Sequence, residues 1–264
     1  MRSSDRPKLG QHFLADTPYR RRIADSLGLR PEDLVVEIGP GKGAMTGLLA
    51  ERAGRVIAIE LDARLARELG RRLADNPKIE ILTGDILEIN LAAVCPSPDC
   101  FVFGNIPYYA TSPILHHILS FYAMLRSMAL VVQREVADRL QAAPGSRDYG
   151  YLSVFIQSYA RPRIALTIPP GAFRPVPKVH SALVRFEMRP PAEAPQAQFF
   201  EFVKRCFACK RKQLATNLSA SYGRGQIQDS LSALGLAANL RAEEMSLEQL
   251  RALFDRLRPA FNHA

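Results

Sequence analysis

Residues Leu34-Val35-Val36-Glu37-Ile38-Gly39-Pro40-Gly41-Lys42-Gly43 join a short, mostly apolar run to a turn with glycine at alternate positions. A run this short, rich in β-branched residues and closed by Gly and Pro, predicts a buried strand rather than a helix. The glycines permit a tight turn and let the backbone approach a ligand where a Cβ would collide. A helix is predicted from about Gly43. Working outward, the alternation repeats. Val56-Ile57-Ala58-Ile59 predicts a second strand and about Asp62 to Leu73 a helix, while Ile79-Glu80-Ile81-Leu82 and Phe101-Val102-Phe103 predict further strands. A helix from about Ser112 and the strand Met128-Ala129-Leu130-Val131-Val132 come next. Such alternation builds a parallel sheet covered by helices on both faces. Ile164 to Ile168 and Ala182 to Phe186 predict the closing strands, and a short helix is expected after Asp16, with Pro18 in its first turn.

At 264 residues the chain accommodates one core of Rossmann size and a small second domain. Arg189-Pro190-Pro191-Ala192-Glu193-Ala194-Pro195 reads as a linker, and the pattern beyond it is helical. The expected class is therefore α/β, a Rossmann-like domain over 1–189, a linker over 190–197 and a small all-α domain over 198–264. Lys and Arg number 35 against 26 Asp and Glu, a net charge of +9 that suits a polyanionic partner. Four cysteines, at 95, 100, 206 and 209, are too few for a disulfide scaffold. Cys206-x-x-Cys209 lacks a second pair of ligands, so no metal is expected. No apolar run approaches the roughly 18 residues of a membrane span, and the N-terminus has no apolar core of a signal segment. A reduced, cytoplasmic protein without membrane contact is the expectation. His116 and His117 occupy adjacent helical positions, point in different directions, and read as surface or packing residues. The N-terminal arm carries Arg2, Arg6 and Lys8, then Gly10-Gln11-His12-Phe13-Leu14, a mixture that suggests a segment folded over a site.

Four strand ends carry the candidate chemistry. Gly39 and Gly41 form a G-x-G-x-G turn behind an acidic residue, not the G-x-G-x-x-G that cradles a pyrophosphate. Glu60 ends the second strand, where a carboxylate accepts from both hydroxyls of a ribose. Asp85 follows the third and is placed to accept from an adenine amino group. Strand ends in such a sheet converge on one edge, so an adenosine without phosphate, S-adenosylmethionine foremost, is the expected cofactor. Asn105-Ile106-Pro107-Tyr108 follows the fourth strand. An adenine amine is a poor nucleophile because its lone pair is delocalised into the ring. The Asn105 amide oxygen, with a nearby backbone carbonyl, would accept its hydrogens, Pro107 would stiffen the turn, and Tyr108 would stack on the base. Because a sulfonium donor is already activated, positioning and electrostatics suffice without a metal. Phe173, on the proline-stiffened segment Phe173-Arg174-Pro175-Val176-Pro177-Lys178-Val179, offers either a second stacking surface opposite Tyr108 or a core plug.

These residues together resemble the small-subunit ribosomal RNA adenine dimethyltransferases, relatives of the macrolide-resistance rRNA methyltransferases. The resemblance runs from about Lys8 to Leu218. It is carried by Lys8 to Leu14, Glu37 to Gly43, Glu60, Asp85, Asn105 to Tyr108, Gln133 to Ala137, Gly150 to Val154, Phe173 to Ala182, and Lys210-Arg211-Lys212 with Asn217-Leu218. It implies cofactor contacts by His12, Leu14, Gly39, Glu60, Asp85 and Asn105. It implies methyl transfer from S-adenosylmethionine to the N6 amine of adenines in 16S rRNA, giving N6,N6-dimethyladenosine on an immature small subunit during ribosome biogenesis. His12 and Tyr109 stand where the family usually has Asn. Lys204-Arg205 and Lys210-Arg211-Lys212, just past the linker, are expected to contact RNA phosphates. The expected state is a monomer. The rivals are a resistance-type enzyme acting on large-subunit rRNA, an assembly factor without catalysis, and methylation of DNA or protein glutamine through a related turn.

Overall fold

The computed structural model describes residues 12–95, 98–190, 197–210 and 212–258. The arm residues Arg2, Arg6, Lys8 and Gln11, most of the expected linker, and Arg211 lie outside the described residues.

Strands β1 (Phe13–Leu14), β2 (Leu34–Ile38), β3 (Arg55–Glu60), β4 (Ile79–Thr83), β5 (Cys100–Asn105), β6 (Leu125–Gln133), β7 (Ala160–Ile168), β8 (Phe173–Arg174) and β9 (Ser181–Met188) form two sheets. Seven of them are ordered β4-β3-β2-β5-β6-β9-β7, and β1 pairs with β8. The neighbours from β4 to β6 run parallel, whereas β9 lies antiparallel to β6. From β2 the chain winds outward through β3 and β4, then returns to lay β5 on the other side of β2. The topological switch point lies between β2 and β5, where open α/β sheets bind ligands beyond the carboxyl ends of their strands.

Apolar runs buried on both faces hold this sheet together. Val35, Val36, Val56, Phe101, Val102, Met128 and Leu130 are fully buried, each contributing about 1.5–3 kcal/mol by leaving water. Helices α1 (Thr17–Ser26), α2 (Thr46–Ala50), α3 (Ala63–Arg72), α4 (Leu91–Val94) and α5 (Thr111–Ser120) connect the strands. Asp16 caps α1 by accepting from the Tyr19 N–H at 2.9 Å, with Pro18 inside the first turn. Asp62 caps α3 by accepting from Arg64 and Leu65, and Leu65, Ala66 and Leu69 form its buried stripe. The expected helix near Gly43 begins at Thr46, because the glycine turn itself takes up the intervening residues.

The chain divides into two units. One comprises 1–137 and 162–188; the other comprises 138–161 and 189–264. The second holds α7 (Tyr151–Tyr159), α8 (Ala197–Cys206), α9 (Leu214–Leu218), α10 (Arg224–Ala233) and α11 (Leu247–Leu257), and α7, α8 and α11 meet through an aromatic cluster. Phe155 lies near Phe200 at 4.9 Å, and Phe202 near Phe254 at 5.5 Å between centroids. The expected boundary kept 138–161 with the first domain; contacts group it with the C-terminal helices. The reason is visible in α7, where the Gln157 carbonyl accepts from the Arg189 guanidinium and that of Ser158 from Arg251. The short helix α6 (Arg134–Leu140) spans the junction.

Candidate active site

Strand register assembles the site. Ile38 is opposite Ile59 on one side and Gly104 on the other, and Glu60 is opposite Thr83. The residues at and just after these strand ends, Gly39, Glu60, Asp85 and Asn105, therefore meet at one edge. They line a cavity of about 180 Å³ together with His12, Gly41, Pro107 and Tyr108.

The glycine turn leaves room for a ligand. Gly39 has φ +64°, and a Cβ there would point into open space. Gly41 has φ +55°, and a Cβ would approach Phe13 Cε1 to 2.6 Å. The turn is fastened to its neighbour, since Gly39 N–H donates to the Ile59 carbonyl at 2.9 Å. Glu60 is buried and accepts from the Gly41 N–H at 2.8 Å and from the Asp62 N–H at 3.0 Å. Each carboxylate oxygen has a second lone pair, so both keep acceptor capacity for hydroxyl donors. Asp85 is partly exposed and accepts from the Leu87 N–H through Oδ1 at 3.0 Å.

Glu37, expected in the first strand just before the glycine turn and given no role there, is buried near the end of β2. Burial pushes its carboxyl up to about 7; the nearby Thr46 hydroxyl offsets part of this, and the Glu60 charge adds to it. Among the described residues its Oε2 finds no hydrogen-bond donor, so lost hydration is not restored there.

The turn after β5 is held by contacts from far along the chain. The Asn105 amide N–H donates to the His12 carbonyl at 2.9 Å. That bond fixes which end of the amide is which, and leaves Oδ1 as the acceptor. Tyr108 shares a hydrogen bond with the Ser181 hydroxyl at 2.9 Å and stacks on His12, 5.6 Å between ring centroids. Burial raises the Tyr108 hydroxyl above its ordinary value, against a lowering by Ser181. His12 Nδ1 lies 2.7 Å from the Pro175 carbonyl; since a carbonyl only accepts, Nδ1 carries the proton. The N-terminal arm, the Asn105 turn and the segment after β8 are thereby linked.

One expected contact is corrected. Phe173 does not line the cavity. It is 1% exposed and sits in the core with Leu14, Met45 and Phe101, because pairing of Leu14 with Phe173 in the β1–β8 ladder turns its ring inward. The Leu14 side chain is buried in the same core, and its β1 neighbour Phe13 borders the cavity. Among residues that sequence reasoning missed, the His12 carbonyl and Ser181 orient the two central side chains. Only the Ser-Ala pair closing the Phe173 to Ala182 block hinted at Ser181. In the other unit, Lys210 and Lys212 are exposed, and Lys212 borders a hollow with Gln213, Thr216 and Arg241. His117 donates from Nε2 to the Ile89 carbonyl at 2.9 Å, which is a packing role. Among the described residues no group of three or more His, Cys, Asp or Glu is arranged to hold a metal, and no helix is long and apolar enough to cross a membrane.

Comparison with known proteins agrees with this geometry. The family model described as ribosomal RNA adenine dimethylase matches residues 2–258. The ribosomal RNA small subunit methyltransferase A of Acidobacterium capsulatum is 46% identical over 254 residues, covering 94% of this chain and 90% of that protein. Its namesake from Koribacter versatilis is 40% identical, covering 95% and 94%. Among solved structures, the 23S rRNA methyltransferase ErmE is 31% identical with a TM-score of 0.72, covering 93% of this chain and 99% of that one. A dimethyladenosine transferase from Plasmodium falciparum superposes with a TM-score of 0.83 over 95% and 98% of the two chains, at 21% identity, a likeness of fold. A match that spans nearly the whole chain, on top of a strand-end cavity with the predicted acids and amide, places this protein in the ribosomal RNA adenine dimethylase family.

Proposed function

We propose that the protein transfers methyl groups from S-adenosylmethionine to the N6 amine of adenines in 16S rRNA, giving N6,N6-dimethyladenosine. The observation that carries this reading is the convergence of Gly39, Glu60, Asp85 and Asn105 on one cavity. The cavity suits the cofactor on its own terms: an open glycine at Gly39, a buried carboxylate with unused lone pairs at Glu60, and a partly exposed acid at Asp85. When bound, S-adenosylmethionine supplies an electrophilic methyl on a sulfonium, so a strong base is not needed. Glu60 would hold the ribose hydroxyls and Asp85 the adenine amino group, with Gly39 and Gly41 clearing the approach. His12 would border the same space.

At the other end of the cavity, Asn105 Oδ1 accepts a hydrogen from the target amine and favours a pyramidal nitrogen with a usable lone pair. Because the His12 carbonyl occupies the amide N–H, the oxygen is preset before substrate arrives, the kind of fixed dipole that lowers a barrier without reorganisation. Tyr108, anchored by Ser181 and backed by the His12 ring, presents its remaining face for stacking on an extruded base. Pro107 stiffens the turn between them.

The small-subunit substrate is favoured over the large-subunit alternative by the identity to small-subunit enzymes, 46% against 31% for the 23S enzyme. The setting we propose is the cytoplasm, with a monomer acting on immature small subunits and the exposed Lys210 and Lys212, with Arg211, contacting rRNA phosphates. The test is methyl transfer to undermethylated small subunits and, in parallel, to large subunits, each followed by nucleoside mass spectrometry. Dimethyladenosine in 16S rRNA is the expected product; methylation confined to large-subunit rRNA would overturn the assignment.

A further inference from the structure

Phe13 lines two hollows. One is the cavity described above; the other, of about 380 Å³, is bordered by Arg20, Lys42, Arg72 and Arg174. These cations come from α1, the glycine turn, the end of α3 and β8, so no single amphipathic helix accounts for their meeting. Backbone carbonyls aim the guanidiniums. Arg20 donates to the Leu14 and Ala15 carbonyls at 3.0 and 2.7 Å, and Arg174 to those of Gly171 and Phe173 at 3.0 and 2.8 Å. Arg72 donates to the Lys42 carbonyl, and the Lys42 ammonium stands 5.8 Å from the centre of the Phe13 ring.

Among the described residues none of these four side chains forms an ion pair. Neutral carbonyls orient the charges without cancelling them. A guanidinium has five N–H donors, of which these bonds use few, so donors remain for an oxyanion. Like charges gathered without counter-charge repel one another, a cost that an anion from outside would relieve. Arg72 also borders an adjoining hollow with Arg64, Arg67, Glu68 and Arg71, so the positive surface continues along α3.

We propose that this groove is a phosphodiester-binding site that takes a stretch of the rRNA backbone, on the far side of Phe13 from the cofactor. The proposal rests on the methyltransferase reading for the identity of the polyanion. It assigns the first unit its own RNA contact, separate from Lys210, Arg211 and Lys212. Phosphate contacts fix register and orientation rather than reading sequence, which is what a site beside a base-flipping pocket requires.

The test uses the full chain and undermethylated small subunits, with binding measured across a salt titration. Variants are Lys42→Gln, Arg174→Gln and the triple Lys42→Gln/Arg72→Gln/Arg174→Gln. Removing the cation from one phosphate should make the slope of log K against log salt shallower by about 0.7–0.9. The triple variant should therefore flatten the slope by roughly 2–3, with a raised KM for subunits and little change in kcat at saturation or in cofactor affinity. Lys42→Gln, whose ammonium makes no hydrogen bond among the described residues, keeps the test valid should the triple variant fold poorly; it should flatten the slope by about the share of a single phosphate. An unchanged slope in a folded Lys42→Gln and Arg174→Gln pair would overturn the proposal. Loss of stabilisation by inorganic phosphate without any change in RNA slope would assign the groove to a free anion and also overturn it. The slope is read whether or not methyl transfer occurs, so a wild-type protein that binds subunits but no S-adenosylmethionine would defeat the enzyme reading and leave this one standing.

Discussion

Replacing Glu37 with Gln should stabilise the protein at neutral and alkaline pH and do almost nothing in acid. Glu37 lies within β2, fully buried, with Oε2 unpaired among the described residues and the carboxyl raised from 4.5 to about 7 by burial. Below pH 4.5 the side chain is protonated in folded and unfolded chains alike and costs nothing by ionisation. As pH rises from 4.5 to about 7 the unfolded chain releases its proton while the folded protein keeps it, so stability declines through that window. Above about 7 the full difference is carried. A shift of this size corresponds to roughly 3 kcal/mol, or about 6–12 °C in Tm at 2–4 °C per kcal/mol. Glutamine is isosteric and stays neutral, so the variant should exceed wild type by that amount at about pH 8 and match it, within about 1 kcal/mol for altered hydrogen bonding, at about pH 4. Paired urea melts of both proteins at about pH 4, 6 and 8 read the difference directly. A variant-minus-wild-type difference that does not change with pH would refute the reasoning, for it would mean Glu37 ionises in the fold as it does in water.

Gly41→Ala should weaken S-adenosylmethionine binding by about tenfold or more in calorimetry with the fold retained, because its φ of +55° and the Phe13 ring beside it leave no place for a Cβ. Phe173→Ala should lower stability by about 3–5 kcal/mol in denaturant melts, as expected of a core ring; native stability with selective loss of RNA capture would restore it to the site. Ser181→Ala removes the partner of the Tyr108 hydroxyl and should cut kcat about 2- to 10-fold with KM for the cofactor unchanged.

The strand-and-helix alternation was legible because buried parallel strands leave dense apolar runs, and β2 was readable in full at Leu34–Ile38. The acids and the amide were legible for the same reason: a residue just past a parallel strand has only one edge to occupy. Their mutual distances were not readable, since register is a property of pairs such as Ile38 with Gly104 and not of either strand alone. Phe173 shows where local reading fails. A proline-stiffened aromatic looks alike on a pocket rim or in a core, and what turned it inward was a two-residue ladder with β1, far too short to leave a periodicity. The Asn105 bond to the His12 carbonyl spans 93 positions and uses a backbone atom, so no side-chain pattern announces it. The grouping of 138–161 with the C-terminal helices was hidden likewise, because contacts between distant helices set it and the Pro-rich stretch at 189–195 suggested a simpler cut.

Methyl transfer turns on the amide oxygen at Asn105 being held ready for the amine. Single-turnover methyl transfer by Asn105→Ala, with cofactor and undermethylated subunits both saturating, measures that contribution apart from binding. A rate reduced by about 10²–10³ or more, with cofactor affinity changed far less, is the predicted result. Transfer within a few-fold of wild type would contradict it.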